Sequence, residues 1–469
     1  MSTVSRLRVL APCVALGALI APAPASADGV VAGLARATPI AAHGGVVAWS
    51  DYDGAAKRYR LVIRVGGASS PAPVADSVKP FDVSLGPDAR GRVVALYSRC
   101  RRPDRGCDIY RYDIRARRER KLSSVSSSTH DEAWPVQWRD RIAFVRRARS
   151  WVRDIYDPRP DPAAKRRGST LLDCDVPYVR TLSARASRRL DRAGCGRTDG
   201  MSIRGDRIVQ VTSFYLDFNA AQSQVRVLRA RGGSARVIAN TTGGLDGVSS
   251  FVSPSQSATA VWLTRVGDRD PQNILRIDLA RAAQRPGRLR PPMTEADPGA
   301  PLAGRVVRDD RGTFWYVQSA EPSFSEGEYS DDCVALQPCR LIQGSADPFS
   351  STARTLAPRL RLSNAPYEPL AGRFADGIAL SGSLVRDVVR GHTAVAREPL
   401  AGIAVELLSS RRFDGAYATT GLTARTDASG AWSFTLRAPL SDGYYVAVAR
   451  GAGLASSIVE VATAAEDGR

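Results

Sequence analysis

STHDEAWPVQWRDRIAFVRR, residues 128–147, holds two strand patterns around one polar turn, and looser copies of it recur along the chain. Residues 133–138 alternate in character, Arg139 and Asp140 form the turn, and residues 141–145 make a second, apolar strand. Related phrases begin at Thr38 (TPIAAHGGVVAWS), Pro80 (PFDVSLGPDARGRVVALYS), Gly200 (GMSIRGDRIVQVTS), Val248 (VSSFVSPSQSATAVWLT) and Pro301 (PLAGRVVRDDRGTFWYVQ). Third strands follow at YRLVIRV from Tyr59, CDIYRYDI from Cys107, SQVRVLR from Ser223, NILRIDL from Asn273 and CRLIQG from Cys339. Copies about fifty residues apart, each reading as four short strands, predict an all-β chain with a six-bladed β-propeller over residues 38–360. Trp49, Tyr97, Phe144, Trp262 and Trp315 fall on second strands, where flat rings fill the wedge between adjacent sheets.

Ahead of the repeats, Arg6 and Arg8, an apolar run over residues 10–20 and the small-residue site Ala25-Ser26-Ala27 read as a secretory signal peptide, residues 1–27. No later run reaches the ~20 apolar residues of a membrane span. The mature protein is therefore expected to be secreted, monomeric and without a membrane span. Of 7 cysteines, Cys13 leaves with the leader. An even set in an exported chain argues for disulfides, and proximity favours Cys100 with Cys107, Cys333 with Cys339, and hence Cys174 with Cys195. That pairing is a preference among about fifteen connectivities. None of the spacings is CxxC, so structural zinc is not expected.

The formal charge is +19, yet of 66 basic residues only Lys57, Lys79, Lys121 and Lys165 are lysines. With abundant Ala, Gly, Val and Pro, this is the usage of a GC-rich genome. The basicity reads mostly as background, and nucleic acid is not an expected partner.

The order of a first strand ending in Pro-x-Trp, a polar turn, an Ile-Ala-Phe strand and an Ile-Tyr-x-x-Asp strand resembles the TolB-like propeller repeat. Glu132, Pro135, Trp138, Asp140, Ile142, Ala143 and Phe144 fit its first half, and Asp108, Ile109, Tyr110 and Asp113 its third strand. Later copies lack the tryptophan that ends the first strand. That family spans translocation components, peptidase accessory domains and lyases, so the resemblance implies a fold and no single activity.

From about Pro366 the pattern changes to GIALSGSL, AGIAVELLS, TARTDASGAWSFTL, GYYVAVAR and SSIVEVAT, read as one small β-sandwich. The run TDASGAWSF from Thr426 resembles the turn and strand of prealbumin-like or carboxypeptidase-regulatory-like domains. The expected division is a leader at 1–27, a propeller at 28–365 and a sandwich at 366–469.

Two hairpins between second and third strands are long: a basic one near residues 147–174 and an acidic one near 320–338. They open on the face where the chain crosses between units, and propeller ligands usually meet such loops. At the same mouth an acidic residue recurs: Asp82, Asp131 with Glu132, Asp199, Asp246 and Asp297, joined by His130. Carboxylates ringed there would repel one another unless a divalent cation or basic ligand sat between them, or unless they accept backbone hydrogen bonds in the crossing turns. Hydrolase and phosphate-loop motifs are missing, and the only histidines are His43, His130 and His392. No resident cofactor is expected. The reading is a non-catalytic binding scaffold for a peptide, protein or glycan. The alternative is an extracellular carbohydrate-active enzyme, glycosidase or lyase, with a carboxylate pair at the mouth.

Overall fold

The computed structural model describes residues 28–463 except 103–104, 155–156, 161–169, 191–195, 218–219, 244–249, 267–272, 285–292, 297–301, 319–322, 326–327, 331–332, 334–338, 345–346, 350–352, 364–369, 373–376, 391–392, 413–414 and 438–441. Apart from the short helix Leu279–Gln284 and a helical turn at Arg450–Ala452, the described elements are strands.

Most belong to antiparallel sheets whose strands follow chain order. Sheet I holds Ile40–His43, Val46–Asp53, Arg58–Val65 and Ala68–Pro71; sheet II holds Ser84–Pro87, Val93–Arg102, Arg105–Asp113 and Arg118–Lys121. Sheet III holds Asp131–Trp138, Arg141–Asp154, Thr170–Thr181 and Arg188–Arg189, and sheet IV holds Arg197–Arg204, Arg207–Asp217, Ala220–Arg229 and Arg236–Gly243. Sheet V runs through Ser250–Gln256, Ala260–Val266, Asn273–Asp278 and Met293–Ala296. The innermost strand of each neighbours that of the next, and Leu302–Arg308 in the last sheet returns to Ile40–His43 in the first. This is the arrangement of a β-propeller.

Sheet VI supplies only three strands from its own repeat, Leu302–Arg308, Phe314–Gln318 and Cys339–Gln343. Its outermost strand is Gly29–Leu34, paired antiparallel with Cys339–Gln343. The start of the described chain thus locks the last sheet to the first.

Neighbouring inner strands approach closely at Gly86. At Gly86 a Cβ atom would lie 2.1 Å from the backbone oxygen of Gln137 on the next sheet, so no larger residue fits there. The aromatic wedge is as expected: Tyr97 and Phe144 are fully buried, and Trp49, Trp262 and Trp315 nearly so. Tyr97 meets Phe81 edge-to-face at 5.1 Å, and Trp262 meets Phe314 at 6.2 Å.

Two cysteine pairs are joined as proximity predicts, Cys100 with Cys107 and Cys333 with Cys339. Cys174 is also disulfide-bonded, and Cys195 lies outside the described residues.

The C-terminal region forms two further sheets. One centres on Ile378–Arg390 and includes Ala353–Thr355, Arg359–Leu362, Thr393–Pro399 and Ala431–Leu436; the other runs Leu370–Gly372, Leu454–Thr463, Gly443–Ala449, Ala404–Ser410 and Ala418–Arg425. Both contribute to one apolar cluster that includes Leu384, Val405, Trp432, Phe434 and Val461. Residues 353–362, read from the sequence as the tail of the repeats, instead pair with Ile378–Arg390, because Leu360 finds its apolar neighbours in this cluster. The turn in TDASGAWSF is held by Asp427, whose carboxylate accepts the backbone N–H groups of Ser429 at 2.8 Å and Ala431 at 2.9 Å.

Asp28 joins the two regions. Its backbone N–H donates to Thr355 O at 2.8 Å, and its carboxylate accepts from the Tyr316 hydroxyl and from Arg354 Nη1 at 3.1 Å. The Arg354 and Asp28 side chains are 3% and 0% exposed. Removing one partner of so buried a pair leaves the other charge uncompensated, a cost of about 3–5 kcal/mol. Arg354→Leu is expected to lower the urea midpoint accordingly, and adding Asp28→Asn should recover part of the loss; an unchanged midpoint in the single variant would show that the seat carries no charge.

Candidate functional site

Each first strand enters the ring at one end, called here the entry end, and leaves it at a turn end. The 2–3 hairpins and the crossings between sheets share the entry end; the 1–2 and 3–4 turns share the other. Most predicted site residues lie at the entry end, and the structure separates them into three groups.

The first group ties sheets together. Asp82 accepts the backbone N–H of Ser98 within its own sheet, the Ser98 hydroxyl at 2.8 Å, and the backbone N–H of Trp134 on the next sheet. Asp199 instead accepts from the Ser213 hydroxyl within its own sheet IV. Asp175, which the sequence reading did not single out, does for sheets III and IV what Asp82 does for II and III: it accepts Thr198 N at 2.8 Å and Arg147 Nε at 3.2 Å. A carboxylate holding the amide of an incoming strand is occupied by the fold. Asp246 and Asp297 lie outside the described residues.

The second group is Glu132 alone. It is fully buried, with Arg146 Nε at 3.2 Å from its Oε1, while Arg146 Nη2 reaches Val125 O at 3.2 Å. Burial pushes its pKa up to about 7, against the opposing pull of the Ser127 amide and Arg146. Asp108 adds a further upward push.

His130 and Asp131 form the third group, and here the structure does assemble a site. They line a cleft of about 460 Å³ at the entry end of sheets II and III, with Arg101, Asp108, Lys121 and the hydroxyl-rich run Ser126–Thr129. The floor is the hairpin closed by Cys100 and Cys107, whose Cys107 N–H donates to Asp131 Oδ1 at 2.8 Å. Lys121 Nζ pairs with Asp108 at 2.7 Å. The imidazole of His130 is exposed and shares hydrogen bonds with Thr129 Oγ1 at 2.8 Å and Ser127 Oγ at 3.3 Å. Cations, hydroxyls and an imidazole on a disulfide-stiffened frame suit a polar ligand. Among the described residues no three of His, Cys, Asp and Glu converge as a metal set. The acidic hairpin near 320–338 lies largely outside the described residues.

The turn end of the channel holds a feature the sequence reading missed. A cavity of about 100 Å³ there is bordered by His43, Trp138, Arg204, Gln256, Arg308 and Asp310. His43 meets Trp138 edge-on at 6.0 Å, and Arg204 stacks over the same indole at 5.0 Å, so the channel narrows to an aromatic and cationic floor. Burial lowers the pKa of His43, opposed by Asp310 at 3.6 Å. Aligning the repeats on their 1–2 turns would have exposed this set, because all but Asp310 end a first strand.

No family model matches the chain, and no curated protein matches it. Among solved structures it is similar to TolB from Acinetobacter baumannii, at 12% identity and a TM-score of 0.39 over 64% of this chain and 63% of that one. It is also similar to a puromycin-hydrolyzing peptidase of Mycobacterium tuberculosis (14%, TM-score 0.38, 81% and 54%). The propeller domain of the Trilobed protease from Pyrococcus furiosus gives 11% and 0.34 over 66% and 80%. The chain spans about 63% of the length of TolB from Acinetobacter baumannii and the same share of a putative TolB from Agrobacterium tumefaciens. Among the described residues no helix is long and apolar enough to cross a membrane.

The buried acid sets an expected pH response. Glu132 ionises near 4.5 when unfolded and near 7 when folded. Between those values the folded state binds the extra proton, so stability falls as pH rises and levels off above about 7. Glu132→Gln should flatten urea-unfolding stability between pH 5 and 8; an identical slope in both proteins would place the ionisation elsewhere.

Proposed function

We propose that sheets I to VI are the blades of a six-bladed, TolB-like propeller, that residues from 353 onward form a prealbumin-like sandwich, and that the protein is a secreted, non-catalytic binding scaffold. Its ligand is a peptide, protein segment or glycan taken at the entry end. The observation that supports this most directly is the work the carboxylates do: Asp82 and Asp131 hold backbone amides, and Asp175 and Asp199 are likewise engaged. The open volume at that end is the cleft beside His130 and Asp131, furnished with hydroxyls and cations and walled by loops. Such a surface recognises polar groups, and its carboxylates Asp131 and Asp108 are held by the Cys107 amide and by Lys121.

Saturation-transfer NMR on residues 28–469 against short peptides and soluble oligosaccharides tests the reading. At least one class should give transfer that Arg101→Ala and His130→Ala diminish. Transfer insensitive to both variants would move the site elsewhere, and release of product from a glycan substrate would replace the scaffold with an enzyme.

A further inference from the structure

The arginines are not scattered evenly. The 3–4 turn of sheet II carries exposed Arg115, Arg117 and Arg118; that of sheet III carries exposed Arg185 and Arg189; that of sheet IV carries exposed Arg229 and Arg231, the latter with 83% of its side chain in solvent. Adjacent 1–2 turns add exposed Arg90 and Arg139 at the same end of the ring. In sheet I the corresponding 3–4 turn is Gly66-Gly67. Among the described residues of the turn end, exposed arginines stand together on the 3–4 turns of the consecutive sheets II, III and IV.

Other arginines fasten this arc. Arg180 donates to Ser124 O at 2.6 Å, just past the outer strand of sheet II, and to Ala184 O at 2.7 Å in the turn of sheet III. Arg188 donates from sheet III to the Ala230 and Arg231 carbonyls of sheet IV. The turns of sheets III and IV are therefore laced side by side, and the exposed guanidiniums of all three turns stand along a rim at one end of the ring. Of the nearby acids, Glu119 accepts Arg99 at 2.7 Å and the Tyr97 hydroxyl, Asp113 caps its own turn through Ala116 N at 2.9 Å, Asp206 pairs with the rim's own Arg231 at 3.2 Å, and Asp140 stands exposed beside Arg139.

We propose that this rim, formed by the 3–4 turns of sheets II, III and IV, binds an anionic polysaccharide. It is a second surface, at the opposite end of the ring from the cleft of the proposed ligand site. Guanidinium groups recognise carboxylate, sulfate and phosphate in two-point hydrogen bonds, and a row of them favours a polymer that repeats such a group. The curve of the ring suits a chain that bends around it better than a flat bilayer or a straight duplex. Single-stranded nucleic acid is held largely by base stacking; the nearest indole, Trp138, is covered by Arg204. Among the described residues Val237 is the exposed large apolar side chain on this edge, too little for bilayer insertion.

The test compares the intact protein, a rim variant (Arg115→Ser, Arg185→Ser, Arg229→Ser) and a charge-matched control on the C-terminal sheets (Arg390→Ser, Arg411→Ser, Arg437→Ser). Binding to polygalacturonate and to heparin is titrated at several salt concentrations, after matching thermal midpoints confirm folding. The rim variant should bind at least about tenfold more weakly, with a shallower dependence on log salt, while the control stays within about twofold. Equal weakening in both variants would overturn the proposal by reducing the effect to net charge. So would failure to bind either polysaccharide, or binding of duplex DNA or anionic vesicles at concentrations where neither polysaccharide is held.

Discussion

The ring depends on how each sheet satisfies the backbone of the next. A strand entering beside a twisted neighbour brings N–H groups that its own sheet does not pair, and a buried, unpaired amide costs about 1–3 kcal/mol. Side chains of the preceding sheet accept them at the entry end: Ser50 takes Phe81 N at 2.8 Å, Asp175 takes Thr198 N, and Ser223 takes Phe251 N at 3.0 Å. Ties at the turn end complete the circuit. Arg139 N donates to Pro87 O at 2.7 Å, Arg207 Nη1 to Ala258 O at 3.1 Å, Arg308 N to Ser255 Oγ at 3.0 Å, and Gly44 N to Asp310 across the closing seam. The wedges of aromatic side chains supply cohesion, and these polar ties fix the angle at which one wedge meets the next.

This division of labour explains what was legible in the sequence. Strand alternation and buried aromatics repeat with the fold, so Trp49, Phe144 and Trp262 announce the architecture. The acid at the start of each repeat is legible as a pattern too, but its meaning is not. Asp82, Asp131 and Glu132 stand at similar places in their repeats, yet one holds an incoming strand, one holds a disulfide hairpin and one is buried against Arg146. A shift of one position along a strand reverses the direction of a side chain, and no repeat alignment fixes that register to a single residue. The outer strand of sheet VI was hidden for another reason: its pairing is set by topology across the whole chain.

The two ends of the ring are chemically unlike. At the entry end Lys121 is balanced by Asp108, and hydroxyls, an imidazole and Arg101 face the cleft together. At the turn end arginine does both structural and surface work, lacing blades through backbone carbonyls while its neighbours point outward. A carbonyl accepts a hydrogen bond without cancelling the charge that donates it, so this lacing leaves the local field positive.

The seat of Asp28 imposes an order of events on the making of the molecule. Tyr316 lies 288 residues away along the chain and Arg354 lies 326 away, so the first strand is synthesised long before anything exists for it to pair with. Until Cys339–Gln343 arrives, sheet VI has only its two inner strands and Gly29–Leu34 has no strand to pair with, so the ring is a horseshoe. Closing so long a loop carries an entropic cost that no local contact offsets, which makes the seam the last part to form and the first to part. Over the whole interval between those two events the chain carries an unpaired strand edge, the kind of surface that invites pairing with another chain.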